Sequence, residues 1–242
     1  MGSAASTVGV AAAVSVATAA GLVYAALSAT SQIFGPVVVA GDDPAEIALT
    51  FDDGPNPAAT PYLLDVLAQH NVRATFFLIG RFVREAPRLA REIAAAGHLI
   101  GNHTMTHPWL PLISAARVRQ ELAGCNAAIE DTLGMPVWLF RPPHGARTPN
   151  VLLAACELGL TSVNWNIITG DWNPIEADVI QGRVVRGMER NRRRRRGSNV
   201  VMHDGGQAGL GQPRMATVRA VEKLLTESGD SPRRFVTPEV WI

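Results

Sequence analysis

A chain of 242 residues with 47% hydrophobic residues can bury a sizeable core, and α/β barrels commonly use about 200–250 residues as one domain. The formal net charge of +1 excludes a global field that would draw the whole protein to nucleic acid. We therefore expect no nucleic-acid partner. Any attraction of anions by basic residues must come from a local cluster.

The amino terminus carries a long uncharged stretch. From Val8 to Ala29 there is no charged residue, and a helix of this length would span about 33 Å, enough to cross a bilayer. No Lys or Arg precedes it, so orientation cannot be deduced from flanking charge. We expect an export signal or a membrane anchor, with membrane association through residues 8–29 and a location in the cell envelope. The alternative is a disordered Ala-rich leader and a cytoplasmic protein.

Strands alternate with helices along the rest of the chain. The predicted strands cover residues 47–49, 75–79, 98–102, 137–140, 162–167, 199–202 and 234–236, and the predicted helices cover 57–71, 81–96, 114–133, 150–157, 174–190 and 213–228. This alternation predicts an α/β fold with a covered parallel sheet, and its length favours a barrel over an open sheet. We expect residues 1–41 to be the apolar segment and linker, and residues 42–242 to be a single domain.

Reactive side chains follow the predicted strands. In parallel α/β barrels the working residues lie at the carboxyl ends of the strands. The residues at these ends are Asp52 and Asp53, His103 and His107, Arg141 to His144, Asp171 and Trp172, and His203 and Asp204. The helices contribute almost none of this chemistry, so we expect one site at this end of the barrel.

His103 and His107 are four residues apart and can converge on one ion. With one carboxylate they form a two-His, one-carboxylate set that leaves open positions for water and substrate. Zinc, iron, cobalt and nickel all suit such ligands. Taken alone, the histidines could be two surface residues, and Asp52 and Asp53 could belong to a solvated Asp-Asp-Gly turn. The presence of both pairs in one chain favours a metal site.

The motifs of this chain resemble a known family. Its five motifs are Thr50-Phe51-Asp52-Asp53-Gly54-Pro55, His103-Thr104-Met105-Thr106-His107, Arg141-Pro142-Pro143-His144-Gly145, Asp171-Trp172 and Val200-Val201-Met202-His203-Asp204. They are similar, in order, to those of the NodB-homology polysaccharide deacetylases, carbohydrate esterase family 4. The resemblance covers about residue 45 to the end of the chain. It implies a distorted (β/α) barrel that removes acetyl groups from sugars with a divalent metal, usually zinc.

The resemblance also implies a role for each matched residue. Asp53, His103 and His107 become the metal ligands, Asp52 the base that takes a proton from the metal-bound water, and His203 the acid that protonates the departing amine. Arg141 is expected to hold Asp52 ionised and oriented through a charge-assisted fork. The expected substrate-binding residues are Pro143, His144 and Trp172, of which Trp172 would line the pocket for the acetyl methyl group.

Two residues depart from the family pattern. His144 stands where an aromatic Tyr or Phe is usual, so one contact with the sugar would differ. Ile168 stands where an additional Asp often lies, and if that carboxylate normally tunes the acid, His203 would lack a partner and have a lower pKa. Asp171 is a candidate for a partial substitute and is included among the catalytic residues.

Two further features fit no motif. The run Arg192 to Arg196 indicates either a solvated helix end or attraction to an anionic polymer or lipid headgroups. Cys125 and Cys156 match no metal or redox spacing, so they either pair in an oxidising compartment or remain buried free thiols.

Our leading hypothesis is metal-dependent hydrolysis of the acetamido group of an amino-sugar polymer or oligomer, such as peptidoglycan or a chitin-like chain. One alternative keeps the site but acts on O-acetyl xylan or small cyclic amides. Another, from a different class, is a degenerate member that binds glycans without turnover. The presence of both a base and an acid favours an enzyme, since a binding protein needs neither.

Overall fold

The computed structural model describes residues 18–228 and 232–242, and a sheet of eight parallel strands lies at its centre. The strands are β1 (Glu46–Gly54), β2 (Thr75–Leu78), β3 (Leu99–Asn102), β4 (Leu139–Phe140), β5 (Thr161–Ser162), β6 (Ile167–Ile168), β7 (Ser198–His203) and β8 (Arg234–Val236). Their order is β5-β4-β3-β2-β1-β7-β6, and β8 pairs with the start of β1. The carboxyl ends of all these strands therefore face the same end of the molecule.

The sheet curls into a distorted barrel. In the strand order β4 lies three steps from β1, which in a flat sheet would be about 14 Å. Yet Arg141, directly after β4, donates hydrogen bonds to Thr50 and Asp52 on β1. Strands β5 and β6 are not paired with each other in the described part of the chain, so the barrel is open there. The α/β fold of the polysaccharide deacetylase type that the sequence predicts is confirmed.

Strand β1 is the most buried part of the sheet. All residues from Ile47 to Gly54 are buried, as expected for a parallel strand covered on both faces. It pairs with β7 in a register that places Asp52 beside His203. The end of β1 therefore lies at the centre of the barrel's carboxyl end.

Helices cover the outside of the sheet. They are α1 (Thr60–Gln69), α2 (Gly80–Glu85), α3 (Pro87–Ala95), α4 (Ala115–Leu133), α5 (Pro149–Glu157), α6 (Ala177–Arg193) and α7 (Met215–Thr226). In α4 the Ser114 side chain accepts a hydrogen bond from the Arg117 N–H, and Gly134 ends the helix with φ of 67°. Between these caps, its apolar face is buried against the core.

The predicted helix at 81–96 is two helices. Residue Ala86 lies between α2 and α3 with φ −130° and ψ 56°, outside the helical region. Pro87 explains the break, since proline disfavours a helical conformation in the residue before it and has no N–H to donate. The apolar pattern continues across the break because both helices cover the same core.

The predicted strand at 162–167 is wrong as a single strand. It is split into β5 and β6, which lie at opposite ends of the strand order. Between them the side chains of Asn164 and Asn166 donate hydrogen bonds to the backbone carbonyls of Ala29 and Gly197. These contacts replace strand pairing and produce the opening in the barrel.

Residues before β1 pack on the barrel. Residues 18–27 are helical, Ala25 is buried, and Val38 forms a parallel bridge with Val163 beside the opening. No helix within the described residues has the length and apolar character needed to span a bilayer. The predicted segment 8–29 lies partly outside the described residues, and the predicted boundary at residue 41 stays a prediction.

The cysteines and the arginine run are not among the candidate site residues, although Cys125 Sγ lies 3.4 Å from the Leu78 carbonyl at the end of β2. Cys125 and Cys156 are both free; Cys125 is buried, whereas Cys156 is exposed rather than buried. In the arginine run, Arg192 and Arg193 form ion pairs with Glu189, and Arg196 pairs with Asp42. These pairs are exposed, as in a solvated helix end.

Candidate active site

The end of β1 holds two buried carboxylates. Asp53 has φ of 69°, and the pairing with β2 shifts register between Asp52 and Gly54. This irregularity lets neighbouring carboxylates point into one site, although they would alternate along a regular strand. Gly54 is required here because a Cβ atom would collide with the Asp204 carboxylate.

Asp53, His103 and His107 form a buried group of three potential metal ligands. The Asp53 Oδ1 atom is 3.5 Å from His103 Nε2 and 3.2 Å from His107 Nε2, and the three ligand atoms lie within 4.8 Å of one another. His103 Nδ1 donates to the Arg141 carbonyl oxygen at 2.8 Å, which leaves the Nε2 lone pair facing Asp53. The buried Asp53 Oδ1 has no hydrogen-bond partner among the described residues, as a ligand awaiting a cation would. The residues therefore fit a divalent metal.

The protonation states of these groups suit metal binding. Burial disfavours ionised Asp53, but the neighbouring imidazoles of His103, His203 and His107 hold the pKa of its carboxyl well below the usual range. Burial, the largest cause, lowers the pKa of His107 to about 4. Near pH 7 the pair thus presents a carboxylate and a neutral imidazole, the forms that coordinate metals.

Hydrogen bonds fix the turn that carries the two histidines. Asn102 Oδ1 accepts from the Thr104 N–H at 2.7 Å, and Thr104 Oγ1 accepts from the His107 N–H at 3.0 Å. Glu121, buried on α4, accepts from both the N–H and the hydroxyl of Thr106 at 2.8 Å. The two ligands are thus held by the end of β3 and by α4.

Asp52 is held by Arg141. The guanidinium donates to Asp52 Oδ1 at 2.8 Å, and it also donates to the carbonyls of Val163 and Asn164. Both side chains are almost fully buried, and burial lowers the pKa of Arg141. The second oxygen, Asp52 Oδ2, lies 3.9 Å from His103 Nε2 and so faces the ligand group. Arg141 thus contacts Asp52 as predicted, but through one oxygen and not as a two-bond fork, because its Nε and Nη2 atoms donate to backbone carbonyls.

His203 has a carboxylate partner in Asp171, the candidate substitute for the carboxylate absent at Ile168, and the expectation of a lower His203 pKa is wrong. Asp171 Oδ1 lies 2.9 Å from His203 Nδ1, and Asp171 Oδ2 accepts from the His203 backbone N–H at 2.8 Å. Burial alone would lower the pKa of His203, but the Asp171 carboxylate outweighs it and raises the pKa to about 9 rather than lowering it. With 14% of its side chain exposed, His203 is charged near neutral pH and open to the cavity.

A cavity of about 530 Å³ opens over these groups. It is lined by Asp52, Asp53, His103, His107, His144, Trp165, Ile168, Trp172, Val201, His203, Gly206, Gln207, Ala208, Gln212 and Arg214. Trp172 is 46% exposed and meets His203 edge to face at 5.3 Å. Pro143 is buried and does not line this cavity, so its role in substrate binding stays a prediction.

Asp204 is a buried carboxyl for which the sequence predicts no role. It accepts a hydrogen bond from the Thr60 hydroxyl, and its backbone carbonyl accepts from Asn56 Nδ2 at 2.8 Å. Burial raises the pKa of Asp204 to about 7. These contacts join the loop after β1 to the loop after β7, and so brace two sides of the site.

Sequence reasoning missed Trp109, which packs beside the cavity. Its ring stacks on His144, which in turn meets His107 edge to face. The available signal was the position of Trp109, two residues after a predicted metal ligand.

A larger cavity, about 1080 Å³, lies among residues 36–40, 159–162 and the end of α6, and none of the candidate site residues line it. The smaller cavity is the candidate site because the carboxylates and imidazoles line it, although the other cavity is larger.

Strained backbone is concentrated here. Among the described non-glycine residues, six have positive φ. Four of them belong to the site, namely Asp53, Thr104, His107 and His144, with φ between 60° and 69°. Non-glycine residues adopt this left-handed conformation at a cost of about 1–2 kcal/mol each.

Known proteins resemble this chain over most of its length. A family model described as polysaccharide deacetylase matches residues 40–163. A chitooligosaccharide deacetylase from Rhizobium leguminosarum bv. trifolii is 40% identical over 170 residues, covering 70% of this chain and 76% of the relative. A peptidoglycan-N-acetylglucosamine deacetylase from Bacillus cereus is 35% identical over 193 residues, covering 80% and 66%. The crystal structure of the Bc1960 peptidoglycan N-acetylglucosamine deacetylase has a TM-score of 0.75 and 33% identity, covering 83% of this chain and 89% of that one.

Proposed function

Because the chain belongs to the polysaccharide deacetylase family, we propose that it hydrolyses the acetamido group of N-acetylglucosamine residues in chitin-like oligomers or in peptidoglycan. The products are acetate and a sugar with a free amine. Relatives named for each of these two substrates support the substrate class.

The observation that carries the proposal is the arrangement of a base and an acid around the ligand group. Asp52 is fixed by Arg141 on one side, and His203 is fixed by Asp171 on the other. Both line the cavity with Asp53, His103 and His107. Amide hydrolysis needs these two proton transfers, since water must lose a proton and the amine must gain one.

Asp53, His103 and His107 would hold the metal, for which zinc is the first candidate and cobalt, nickel and iron suit the same donors. When bound, a divalent cation supplies Lewis acidity that polarises the acetamide carbonyl and lowers the pKa of water. The chain's own contribution is to present one carboxylate and two imidazoles from buried, fixed positions.

Asp52 acts as the general base. Its carboxylate takes a proton from the attacking water, and the Arg141 guanidinium keeps it oriented. Because Oδ1 is occupied by Arg141, Oδ2, which faces the ligand group, is the oxygen that accepts the proton.

His203 acts as the general acid. An amine anion is a very poor leaving group, so the nitrogen must be protonated as the C–N bond breaks. With its Nδ1–H donated to Asp171, the imidazolium presents Nε2–H for donation to the departing amine.

The test is acetate release by the full chain from N-acetylglucosamine oligomers and peptidoglycan, with added zinc and with chelator. We expect release that the chelator abolishes. Asp52→Asn should lower it about 100-fold or more, because removal of a general base costs about that much. Asp65→Asn, which changes an exposed carboxylate on α1, is the matched control and should leave it unchanged.

Other outcomes would support other functions. Turnover of O-acetyl xylan or small cyclic amides alone would support the alternative acyl substrates. Glycan binding without any acetate release by metal-loaded protein would support a degenerate binding protein and overturn the proposal.

We also propose that the uncharged stretch beginning at Val8 directs the protein to the cell envelope, either as an export signal or as an anchor. Ala25, Ala26 and Ala29 pack on the barrel, so residues 8–24 would carry this role. The support is the absence of charge from Val8 to Ala29. A glycan of the envelope would then be within reach of the site.

A further inference from the structure

An exposed aromatic pair adjoins the cavity. The rings of Trp109 and His144 are stacked with centroids 4.0 Å apart and planes inclined by 15°. Trp109 is 46% exposed even though His144 stacks on its ring, so part of the ring surface is open to solvent beside the cavity.

The pair is held rigidly. Trp109 lies between buried His107 and buried Leu110, and its carbonyl accepts a hydrogen bond from the Leu112 N–H at 2.9 Å. His144 adopts φ of 60° in the turn after β4, and its ring edge packs on His107 with centroids 4.8 Å apart. Because the rings are already ordered, a ligand would bind them with little loss of conformational entropy.

The chemistry of the surface matches a pyranose ring. An aromatic face is apolar and flat, and the face of a pyranose presents C–H groups while its hydroxyls point outward to water. His144 belongs both to the pair and to the wall of the 530 Å³ cavity, so the surface is continuous with the site. A glycan bound in the cavity can therefore extend over it.

The position fits a neighbouring sugar rather than the reacting one. The pair contacts the ligand group only through the His107 edge, whereas the acid His203 meets Trp172 on another wall. We propose that Trp109 and His144 form a stacking subsite for the pyranose next to the one that loses its acetyl group, an inference that rests on the proposed function. The subsite would make the enzyme prefer oligomers over small acetylated compounds.

The experiment compares acetate release from the tetramer of N-acetylglucosamine with release from glycerol triacetate, a small ester without a sugar ring. Trp109→Ala should lower kcat/KM on the tetramer about 3- to 10-fold, mainly through KM, because an aromatic stacking contact contributes that much. Hydrolysis of glycerol triacetate should not change. Trp109→Phe and His144→Tyr keep an aromatic face and should retain most of the preference.

Leu112→Ala is the matched control, since Leu112 is an 81% exposed apolar residue on the same short turn and has no ring. Binding of the tetramer to metal-free protein, followed by intrinsic fluorescence, should weaken by the same factor in Trp109→Ala. An unchanged ratio of the two activities in Trp109→Ala, or an equal loss of both, would overturn the subsite. Absence of release from both compounds by the unaltered enzyme would instead reject the proposed function.

Discussion

At the residue scale, Asp171 fixes both the position and the charge of His203. After β6 the chain turns at Gly170, which has φ of 71°, and this turn returns Asp171 to the His203 ring. Thr217 also donates to Asp171 Oδ2 at 2.8 Å, so the carboxylate is anchored from α7. Ile168 is 54% exposed and lines the cavity in place of the additional carboxylate of the family pattern. Asp171, which matches the family motif itself, is the partner of His203.

The pH profile tests this pair. In the unaltered enzyme the acid should remain protonated until the pH approaches 9, the raised pKa of His203. In Asp171→Asn the charge is lost while burial remains, so the alkaline limb of kcat/KM should move toward or below about pH 6.5. Asp178→Asn removes an exposed carboxylate and should keep the original limb. A limb that stays in place in Asp171→Asn would contradict the pairing.

The His203–Asp171 pair also makes the free energy of unfolding depend on pH. The folded-state pKa of His203 is above its ordinary value, so the contribution of the pair to the free energy of unfolding is complete below about pH 6.5. It is lost as pH rises through about 9. Asp171→Asn should remove this dependence along with the shift in activity.

A site residue can be predicted from the sequence when its partners are close to it along the chain. Asp52, Asp53, His103 and His107 were predictable because each pair is local in sequence and follows a strand. Trp109 was not, because its partner His144 is on another loop and only the barrel brings them together.

At the scale of elements, the order and type of most helices and strands could be predicted, because apolar periodicity is a local signal. The segment between β5 and β6 could not, since Asn164 and Asn166 bond to residues far away in sequence. Such tertiary contacts override a β-rich local pattern.

The segment before β1 also acts through distant contacts. The Arg147 N–H donates to the Ala26 carbonyl at 3.0 Å, and its guanidinium donates to the carbonyls of Ser31 and Gly145. Arg147 is buried, burial lowers its pKa, and no acidic partner faces it in the described residues. Residues 26–31 therefore supply acceptors for a buried cation that adjoins the turn of His144.

Two truncations test this arrangement. A chain lacking residues 1–31 should lose about 2 kcal/mol or more in the free energy of unfolding, because a hydrogen bond to a buried charge contributes about that much. It should also lose activity, since Arg147 adjoins the turn of His144. A chain lacking residues 1–24 keeps these acceptors and should match the full chain, as denaturant unfolding and acetate release can show.

Comparing the full chain with the chain that lacks residues 1–24 also tests whether the protein is bound to membranes. If residues 8–24 anchor the protein, the full chain should sediment with membranes and the chain lacking residues 1–24 should not. Equal stability of the two truncated chains would contradict the role of residues 26–31.

At the scale of the whole molecule, metal binding should be coupled to folding. The three ligands come from β1 and from the turn after β3, and meet only in the folded barrel. Zinc at about 100 times its Kd should add about 2.7 kcal/mol. For a chain of this size this raises Tm by about 5–10 °C, as a thermal unfolding scan with zinc and with chelator would show.

The double variant His103→Ala, His107→Ala should lose this shift. His70→Ala removes a histidine at the end of α1 and should keep it. An equal zinc-induced rise in Tm in both variants would mean that the stabilising ion binds outside Asp53, His103 and His107.

The left-handed residues of the site have a consequence for how such a sequence evolves. Glycine at 53, 104, 107 or 144 would relieve backbone strain, so selection for stability alone would favour it there. Only the chemistry of the side chains opposes that change. The fold therefore gives up part of its stability margin to keep Asp, Thr and His in these conformations, a stability–function trade-off built into the backbone. Descendants that lose the activity should drift toward glycine at these positions first.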